Sequence, residues 1–492
     1  MTTVRLVKPG EVIESPEAEM ADESLPPGFD HIEYGDHAAM ACTDLGNAER
    51  FVRMHGNGVR YCPPRKAWYI WDGKRWSFDE RGVITHMAAL TARDIMREAA
   101  ECEDADQRKR LAGWAIASES ASRIANMLTL ARAIPGVPIL LDELDSNPWL
   151  FNVSNGTLDL RTGELGPHSR SNLISKLSPV VFEPTARHEL WDRFLADITG
   201  GDNELLLLLQ RIAGYSLTGL ATEKRFFFAW GPPDTAKSTY VDALSTAMGD
   251  YHMSAAFSTW CETLGSGAGQ NRGDLVRLAG ARLVTSVEVK RGQRFDTETM
   301  KRFTGGDLVT AAAKWEADVQ FRPQCKIWLA ANDKPRAPDN DDGFWNRLML
   351  VPFVCPIAHK DPTVKQRLND PVELGPAVLA WAMRGCQVWQ QAGLGGAASV
   401  TGASETYRSE QNPLGDFVSD YCVTKPGVSC TRKQLRTAYE EYAKDEGIKY
   451  QMGPKEFKQR IAEITGVSEA RVGLSGDRGY SGIGVKVKFD RC

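Results

Sequence analysis

Between residues 226 and 355 the chain alternates short apolar runs with segments of helical character. Four runs stand out: "RFFFAW", "ARLVTSVEV", "QCKIWLAAN" and "RLMLVPF". Short, continuously apolar runs of this kind read as buried strands. Strands separated by helices predict a largely parallel α/β sheet. The first run leads directly into "GPPDTAKSTYVDAL", so a strand, a Gly-Pro turn and a helix follow one another within twenty residues. That order is the context in which G-x-x-x-x-G-K-[ST] cradles a phosphate. The cradle needs backbone N–H groups aimed at phosphate oxygens from a helix N-terminus, a lysine for the β/γ oxygens and a hydroxyl for a magnesium ion.

Residues 231 to 239 supply most of it. Gly231 opens the loop, Pro232, Pro233, Asp234 and Thr235 form its body, Lys237 is the cation, Ser238 the hydroxyl and Thr239 the next helical residue. Ala236 stands where the pattern has its second glycine. Glycine adopts positive φ freely and a Cβ resists it, at a cost of roughly 1–2 kcal/mol. Either Ala236 accepts that strain or the loop flattens and misplaces an N–H. Both outcomes predict nucleotide binding weakened roughly ten- to thirtyfold. Taken alone, the loop is also compatible with an unrelated turn.

Three downstream residues bear on the choice. Glu288 ends the second apolar run, where an acid can order Mg²⁺ or polarise a water. Asn332 ends the third, where an amide can hold that water, although asparagine is also an ordinary turn residue. Arg347 precedes the fourth, where a guanidinium can reach a neighbouring subunit's triphosphate as an arginine finger. Each has a plain reading as a surface residue. Their joint order, each at a strand edge after such a loop, argues against coincidence.

The remaining sequence sets bounds. At 492 residues the chain exceeds one ordinary core. Its net charge of -5 carries no bulk signal for nucleic acid, so such binding must come from local patches. Neither a membrane span nor a signal-peptide core is evident. The 10 cysteines include no C-x-x-C pair and no zinc spacing, as expected of small buried residues in a reducing, cytoplasmic setting. Residues 1–45 read as an acidic disordered tail. Residues 46–185 read as a mixed α/β domain, with hairpins at Asp72-Gly73 and Asn155-Gly156 and helices between them. Trp68, Trp71 and Trp76 can stack on bases, but core packing is the plainer reading. Residues 186–225 read as a helical collar, 226–357 as the sheet core, and 358–400 as a helical lid. Residues 405–492 read as a separate unit of two helices and a hairpin.

The segment from Arg282 to Phe353 resembles the superfamily 3 helicases of the poxvirus type and the phage and plasmid primase-helicases. "KRFTGGD", residues 301–307, and Phe321-Arg322-Pro323 carry the likeness, with "NPWLFNVSNGTLDLRTGEL" upstream. The resemblance implies a P-loop AAA+-like core, ATP and Mg²⁺ as cofactors, and a ring, typically a hexamer, acting on DNA in replication. By position it makes Lys237 and Ser238 the phosphate-loop pair, Glu288 the acid beside the metal, Asn332 the sensor and Arg347 the finger. It places a DNA-tracking hairpin between Thr310 and Phe321, with Lys314 as its phosphate contact. It implies a terminal winged helix whose basic residues, Arg432, Lys433, Arg436, Lys455, Lys458, Arg460, Arg471 and Arg478, face DNA. A primase domain, present in many relatives, has no counterpart in the sequence, so a separate primase or polymerase is the implied partner. Two rivals remain: a DNA-binding ring that uses ATP only for assembly, and a small-molecule P-loop kinase, which has no use for Arg347 or a winged helix.

Overall fold

The computed structural model describes residues 40–262, 272–288, 293–311, 319–338, 341–357, 362–411, 413–445, 452–473 and 476–486. Most of the acidic tail and Lys314 lie outside them. The chain divides into two compact units, one holding residues up to 54 together with 87–131, the other holding 55–86 and everything from 132 onward.

The first unit is helical: α1 (Asp44–His55), α2 (Val83–Glu101), α3 (Ala105–Ser118) and α4 (Ala121–Ala131). The helices expected between the two hairpins include α3 and α4, between which the chain breaks at Glu119 and Ser120. Phe51, Ala92, Ile95 and Met127 are among its buried residues. Arg50 is buried too, and its guanidinium is satisfied by Glu98 at 2.7 Å and by the carbonyl of Met40 at 2.8 Å. Without such partners a buried guanidinium is costly.

The second unit opens with two small antiparallel sheets. The first pairs β1 (Val59–Cys62), β2 (Ala67–Trp71) and β3 (Trp76–Phe78), and the second pairs β4 (Leu150–Val153), β5 (Gly156–Asp159) and β6 (Glu164–Gly166). Both expected hairpins are present. Trp68 and Trp76 are buried in the first sheet, and the Trp76 indole N–H donates to the Arg170 carbonyl at 2.9 Å. These rings are therefore core, not a stacking platform.

Helices α5 (Glu189–Thr199) and α6 (Asn203–Leu217) follow, and then the central sheet. Its elements run β7 (Phe226–Trp230), α7 (Lys237–Met248), β8 (His252–Ser254), α8 (Gly273–Val276), β9 (Leu283–Val287), α9 (Thr297–Gly305), β10 (Val309–Ala311), β11 (Val319–Phe321), β12 (Lys326–Ala331), α10 (Asp342–Trp345) and β13 (Leu348–Pro352). Five strands pair in parallel in the order β13-β7-β12-β9-β8. The four expected strands form its body, and β8 is an additional short edge strand.

Period-two alternation explains why the sheet must be covered twice. Phe227, Ala229, Trp328 and Val351 pack on one face with Trp191, Tyr240 and Trp381. Phe226, Phe228, Ile327, Leu329 and Leu350 pack on the other with Phe295, Phe344 and Tyr407. Buried cations fasten the sheet to α6. Arg282 donates to the Leu217 carbonyl at 2.7 Å, and Lys326 to the carbonyls of Thr218 and of Leu220. Burial pushes both pKa values down, while the helix C-terminus offers them its negative end.

Beyond the sheet come α11 (Pro362–Leu368), α12 (Gly375–Ala392) and α13 (Ala398–Gln411). The helical lid read over 358–400 thus holds α11 and α12. Helix α13 runs across the boundary read at 400–405 and packs on the sheet: the Ser404 hydroxyl accepts from the Leu350 N–H at 3.0 Å. The chain ends in α14 (Pro413–Tyr421), β14 (Cys422–Thr431), α15 (Arg432–Asp445), α16 (Pro454–Ala462), β15 (Ser468–Val472) and β16 (Asp477–Val485), the strands forming an antiparallel sheet in the order β14-β16-β15. Leu435, Tyr439, Phe457, Ile461 and Tyr480 fill its own core.

Candidate functional site

The register of the parallel strands brings three of the sequence-derived residues into one row. Trp230 of β7 lies opposite Ala331 of β12, and Ala330 of β12 lies opposite Val287 of β9. One step further along each strand come Gly231 and Asn332, level with each other, and Glu288, level with Ala331 one residue back. Adjacent strands lie about 4.8 Å apart, so the three backbones span about 10 Å. This is the C-terminal edge of a parallel sheet, where open α/β folds gather their ligands.

The loop from Gly231 to Lys237 has little freedom at its start. A Cβ on Gly231 would stand 1.9 Å from the Phe353 carbonyl oxygen, so only glycine lets β7 leave the sheet this close to β13. Pro232, Pro233, Asp234 and Ser238 are exposed, Thr235 is buried, and Ala236 and Thr239 are half-buried. The Thr235 hydroxyl donates to the Pro232 carbonyl at 2.9 Å. The Lys237 ammonium reaches back over the loop, donating to the carbonyls of Gly231 at 2.9 Å and Pro232 at 2.6 Å and to the Thr235 hydroxyl at 3.2 Å. Burial pulls the Lys237 pKa below its ordinary value, with Asp234 opposing.

Ala236 adopts φ 58° and ψ 21°. The loop has not flattened: alanine carries the left-handed conformation that glycine supplies elsewhere. Asp234 at φ 64° and Glu288 at φ 69° are left-handed as well. Of the seven non-glycine residues at positive φ among those described, three therefore stand in this one site. Strain held by a fold points toward function. Helix α7 begins here with no side-chain cap, in contrast to α5, α6 and α9, capped by His188, Asp202 and Asp296. Its first N–H groups face the loop that a phosphate would enter.

Glu288 and Asn332 are exposed at the row's other two positions. Asn332 belongs to a network that sequence reasoning missed. The Trp230 indole N–H donates to the Asn332 carbonyl at 3.0 Å, and the Lys334 ammonium sits 4.1 Å from the Trp230 ring centroid. Glu410, on α13, pairs with Lys334 at 2.8 Å. Lys334 and Glu410 are 76 residues apart, and no local pattern joins them. Among the described residues no group of three or more His, Cys, Asp or Glu gathers as a metal site. A magnesium ion bound with phosphates needs only one or two protein ligands, so an exposed Ser238 and an exposed Glu288 fit that demand.

Arg347 is not part of the row. Its carbonyl accepts from the Phe226 N–H at 2.9 Å, which puts it at the opposite end of β7 from Gly231. Five strand residues separate the two ends, about 16 Å. Its Nη1 donates to the Gly343 carbonyl at 2.7 Å, and its buried Nε has no hydrogen-bond partner among the described residues.

The structure sorts the expected DNA-facing residues. Arg432 and Lys458 both pair with Glu469, Lys458 at 3.1 Å, and together they hold its carboxyl below the ordinary range. Arg436 is a packing residue: it binds Glu440 at 2.7 Å and the Met452 carbonyl at 2.8 Å, and lies over Phe457. Lys433 and Lys455 are exposed with no ion pair among the described residues. Arg471 lies directly opposite Arg478 in the β15–β16 hairpin, a like-charge pairing that is unfavourable without an anion nearby. The strands β10 and β11 pair antiparallel as the expected hairpin does; Lys314 belongs to the connection outside the described residues.

Residues 48–200 match the family model described as D5 N terminal like. The chain is 26% identical over 316 residues to the "Putative helicase L207/L206" of Acanthamoeba polyphaga mimivirus, covering 59% of this chain and 33% of that protein. It is 25% identical over 222 residues to the "Putative helicase 121R" of Invertebrate iridescent virus 3, covering 43% and 23%. These matches make the chain similar to the D5-like phage and virus helicases. It spans about a third of the length of the first of these relatives and about a quarter of the second. An apo structure of the NrS-1 C terminal region superposes on this chain with a TM-score of 0.48 at 11% identity, covering 88% of this chain and 98% of that one. Among the described residues, no helix is long and apolar enough to cross a membrane.

Proposed function

We propose that this chain is a Mg²⁺- and ATP-dependent DNA helicase or translocase, working as a ring, typically a hexamer, in phage or plasmid replication with a separate primase or polymerase. The observation that carries this reading is the row of Gly231, Asn332 and Glu288 on three adjacent parallel strands, beside the uncapped start of α7. The loop N–H groups and Lys237 would hold the β- and γ-phosphates. Ser238 and Glu288 would hold the metal, which when bound would supply charge neutralisation at the phosphates. Glu288 prepares the attacking water and Asn332 orients it by its side-chain amide, whose backbone Trp230 holds in place. Arg347, about 16 Å away in its own chain, acts on the site of the next subunit, which makes hydrolysis depend on assembly.

The terminal unit has the element order helix, strand, helix, helix, strand, strand. That order supports a winged helix. Lys433, Lys455 and the Arg471–Arg478 pair are its best-placed phosphate contacts.

The test is ATP hydrolysis with and without forked DNA, beside unwinding of that fork, for the wild type and Lys237→Ala. DNA-stimulated hydrolysis and unwinding, both lost in Lys237→Ala, are expected. ATP and DNA binding in a ring without turnover would replace this reading with that of an assembly protein.

A further inference from the structure

Arg347 precedes β13 at the end of a single helical turn, and a single turn has little rigidity of its own. Yet the finger reading requires its guanidinium to be aimed. The structure shows what fixes the turn. Asp341 is the N-cap of α10, its Oδ1 accepting from the Phe344 N–H at 3.0 Å. Its Oδ2 accepts from the Lys301 ammonium at 2.5 Å. Lys301 lies on α9, 40 residues away, in the "KRFTGGD" stretch whose role the nucleotide site leaves unexplained. The carbonyl of Gly343, within the same turn, accepts from Arg347 Nη1 at 2.7 Å. The Arg347 N–H in turn donates to Phe344 at 2.9 Å. A Cβ on Gly343 would stand 3.2 Å from both Asp341 Oδ1 and Lys301 Cε, so the three groups are in close contact.

A second ion pair reaches the same turn: Arg408 of α13 pairs with Asp342. The two pairs are not equal. The Arg408 and Asp342 side chains are 45% and 78% exposed, against 35% and 22% for Lys301 and Asp341. Exposed pairs contribute little because solvent screens them. Burial works against the Asp341 charge, but Lys301 and the Phe344 and Gly343 N–H groups outweigh it and hold the carboxyl below its ordinary range. The Lys301 pair is the stronger clamp.

We infer that Lys301 and Asp341 are positioning residues for Arg347: their ion pair fixes the α10 turn whose Gly343 carbonyl aims the guanidinium at the neighbouring subunit's nucleotide. This rests on the reading of Arg347 as the finger. The Lys301 ammonium is engaged by Asp341 of the Arg347 turn rather than by the Gly231–Lys237 loop, so its loss should show in the maximal hydrolysis rate and not in ATP affinity.

The experiment measures steady-state ATP hydrolysis by the full chain in assembled rings, with melting temperature recorded for every variant. Lys301→Met is expected to lower kcat about tenfold or more with KM for ATP within about threefold, and Lys301→Arg to retain most of the rate. Retention of the rate by Lys301→Arg, with an unchanged melting temperature in Lys301→Met, separates lost aim from lost folding. In an Arg347→Ala background, Lys301→Met should cost nothing further. An unchanged kcat in Lys301→Met, or a full additional loss in the Arg347→Ala background, would overturn the positioning role while leaving the finger intact. If Arg347→Ala alone leaves kcat unchanged, the finger reading fails first and this inference falls with it.

Discussion

Ala236→Gly isolates one physical quantity, the strain of a Cβ at φ 58° in the phosphate loop. Left-handed alanine costs roughly 1–2 kcal/mol. Replacing it with glycine removes that strain but restores freedom to the unfolded chain, worth about 0.5–1 kcal/mol. It also removes a methyl group packed partly against the core, which for full burial of one carbon would be about 0.8 kcal/mol. These terms nearly cancel, so folding stability should change by less than about 1 kcal/mol, within a few degrees of melting temperature. Nucleotide affinity has no such cancellation. The loop is tied by the Thr235 hydroxyl, by the Lys237 ammonium on the carbonyls of Gly231 and Pro232, and by the Tyr240 N–H donating to Ala236 at 3.0 Å. When Lys237 turns to phosphate, two of those carbonyl ties are given up, and the strain then acts directly on the loop's phosphate-binding geometry. Relief of about 1–2 kcal/mol corresponds to roughly five- to thirtyfold tighter ATP binding. Lys237, Ser238, Glu288 and Asn332 are untouched, so kcat should stay within about threefold. Equilibrium binding of a fluorescent ATP analogue and steady-state hydrolysis read the two quantities separately. Weaker binding or lost turnover in Ala236→Gly would refute the argument, because the left-handed conformation would then not be the productive one. A wild type that fails to bind ATP, with binding and turnover both gained in the variant, would make the natural protein a degenerate ATPase.

Glu288→Gln should keep ATP binding and lower hydrolysis on the order of a hundredfold, the scale of a lost acid–base group; unchanged hydrolysis reduces Glu288 to a strand-end residue. Arg347→Ala should abolish most hydrolysis with binding intact, and mixing it with Lys237→Ala in shared rings should recover some activity; no recovery in rings shown to be mixed argues against a site shared between subunits. Gly231→Ala drives a Cβ to 1.9 Å from the Phe353 oxygen and should destabilise the fold by at least the 1–3 kcal/mol typical of overpacking, read as a lowered melting temperature with loss of ATP binding. Lys433→Ala and Lys455→Ala should each weaken DNA binding and reduce its salt slope by about one. Arg436→Ala should instead lower stability, because that side chain already holds Glu440, the Met452 carbonyl and Phe457.

The contrast between Lys433 and Arg436 shows where sequence reading reaches its limit. Both are basic residues of one helix, and as letters they are equivalent. Only tertiary contacts leave one exposed with no ion pair among the described residues and make the other a packing element. The geometry of the candidate phosphate loop is legible because it is local: strand, loop and helix lie within twenty residues, and the demand for positive φ at Ala236 follows from backbone sterics alone. Glu288 and Asn332 were legible because apolar runs place strand ends reliably, and a parallel sheet brings strand ends to one edge. Edge strand β8 was missed because "HMS" is short and one of its faces needs no apolar cover. Helix α13 was cut at 400–405 because nothing local reveals that Tyr407 fills the sheet's far core.

The Lys301–Asp341 pair carries this argument furthest. Its members are 40 residues apart and separated by the expected DNA hairpin. The motif "KRFTGGD" was conspicuous in the sequence, yet the chemistry of phosphate transfer assigns it nothing. A lysine whose ammonium is engaged by Asp341 acquires a role only once α10 is seen to hold Arg347. On the proposed reading Arg347 lies at the far end of β7 from the candidate phosphate loop of its own chain, so a site completed by the next subunit would have to aim that residue across an interface without help from its own nucleotide. Aim must therefore come from the fold beneath it. A short turn capped by one aspartate, with that aspartate fixed by a partly buried lysine, is a minimal means of supplying it.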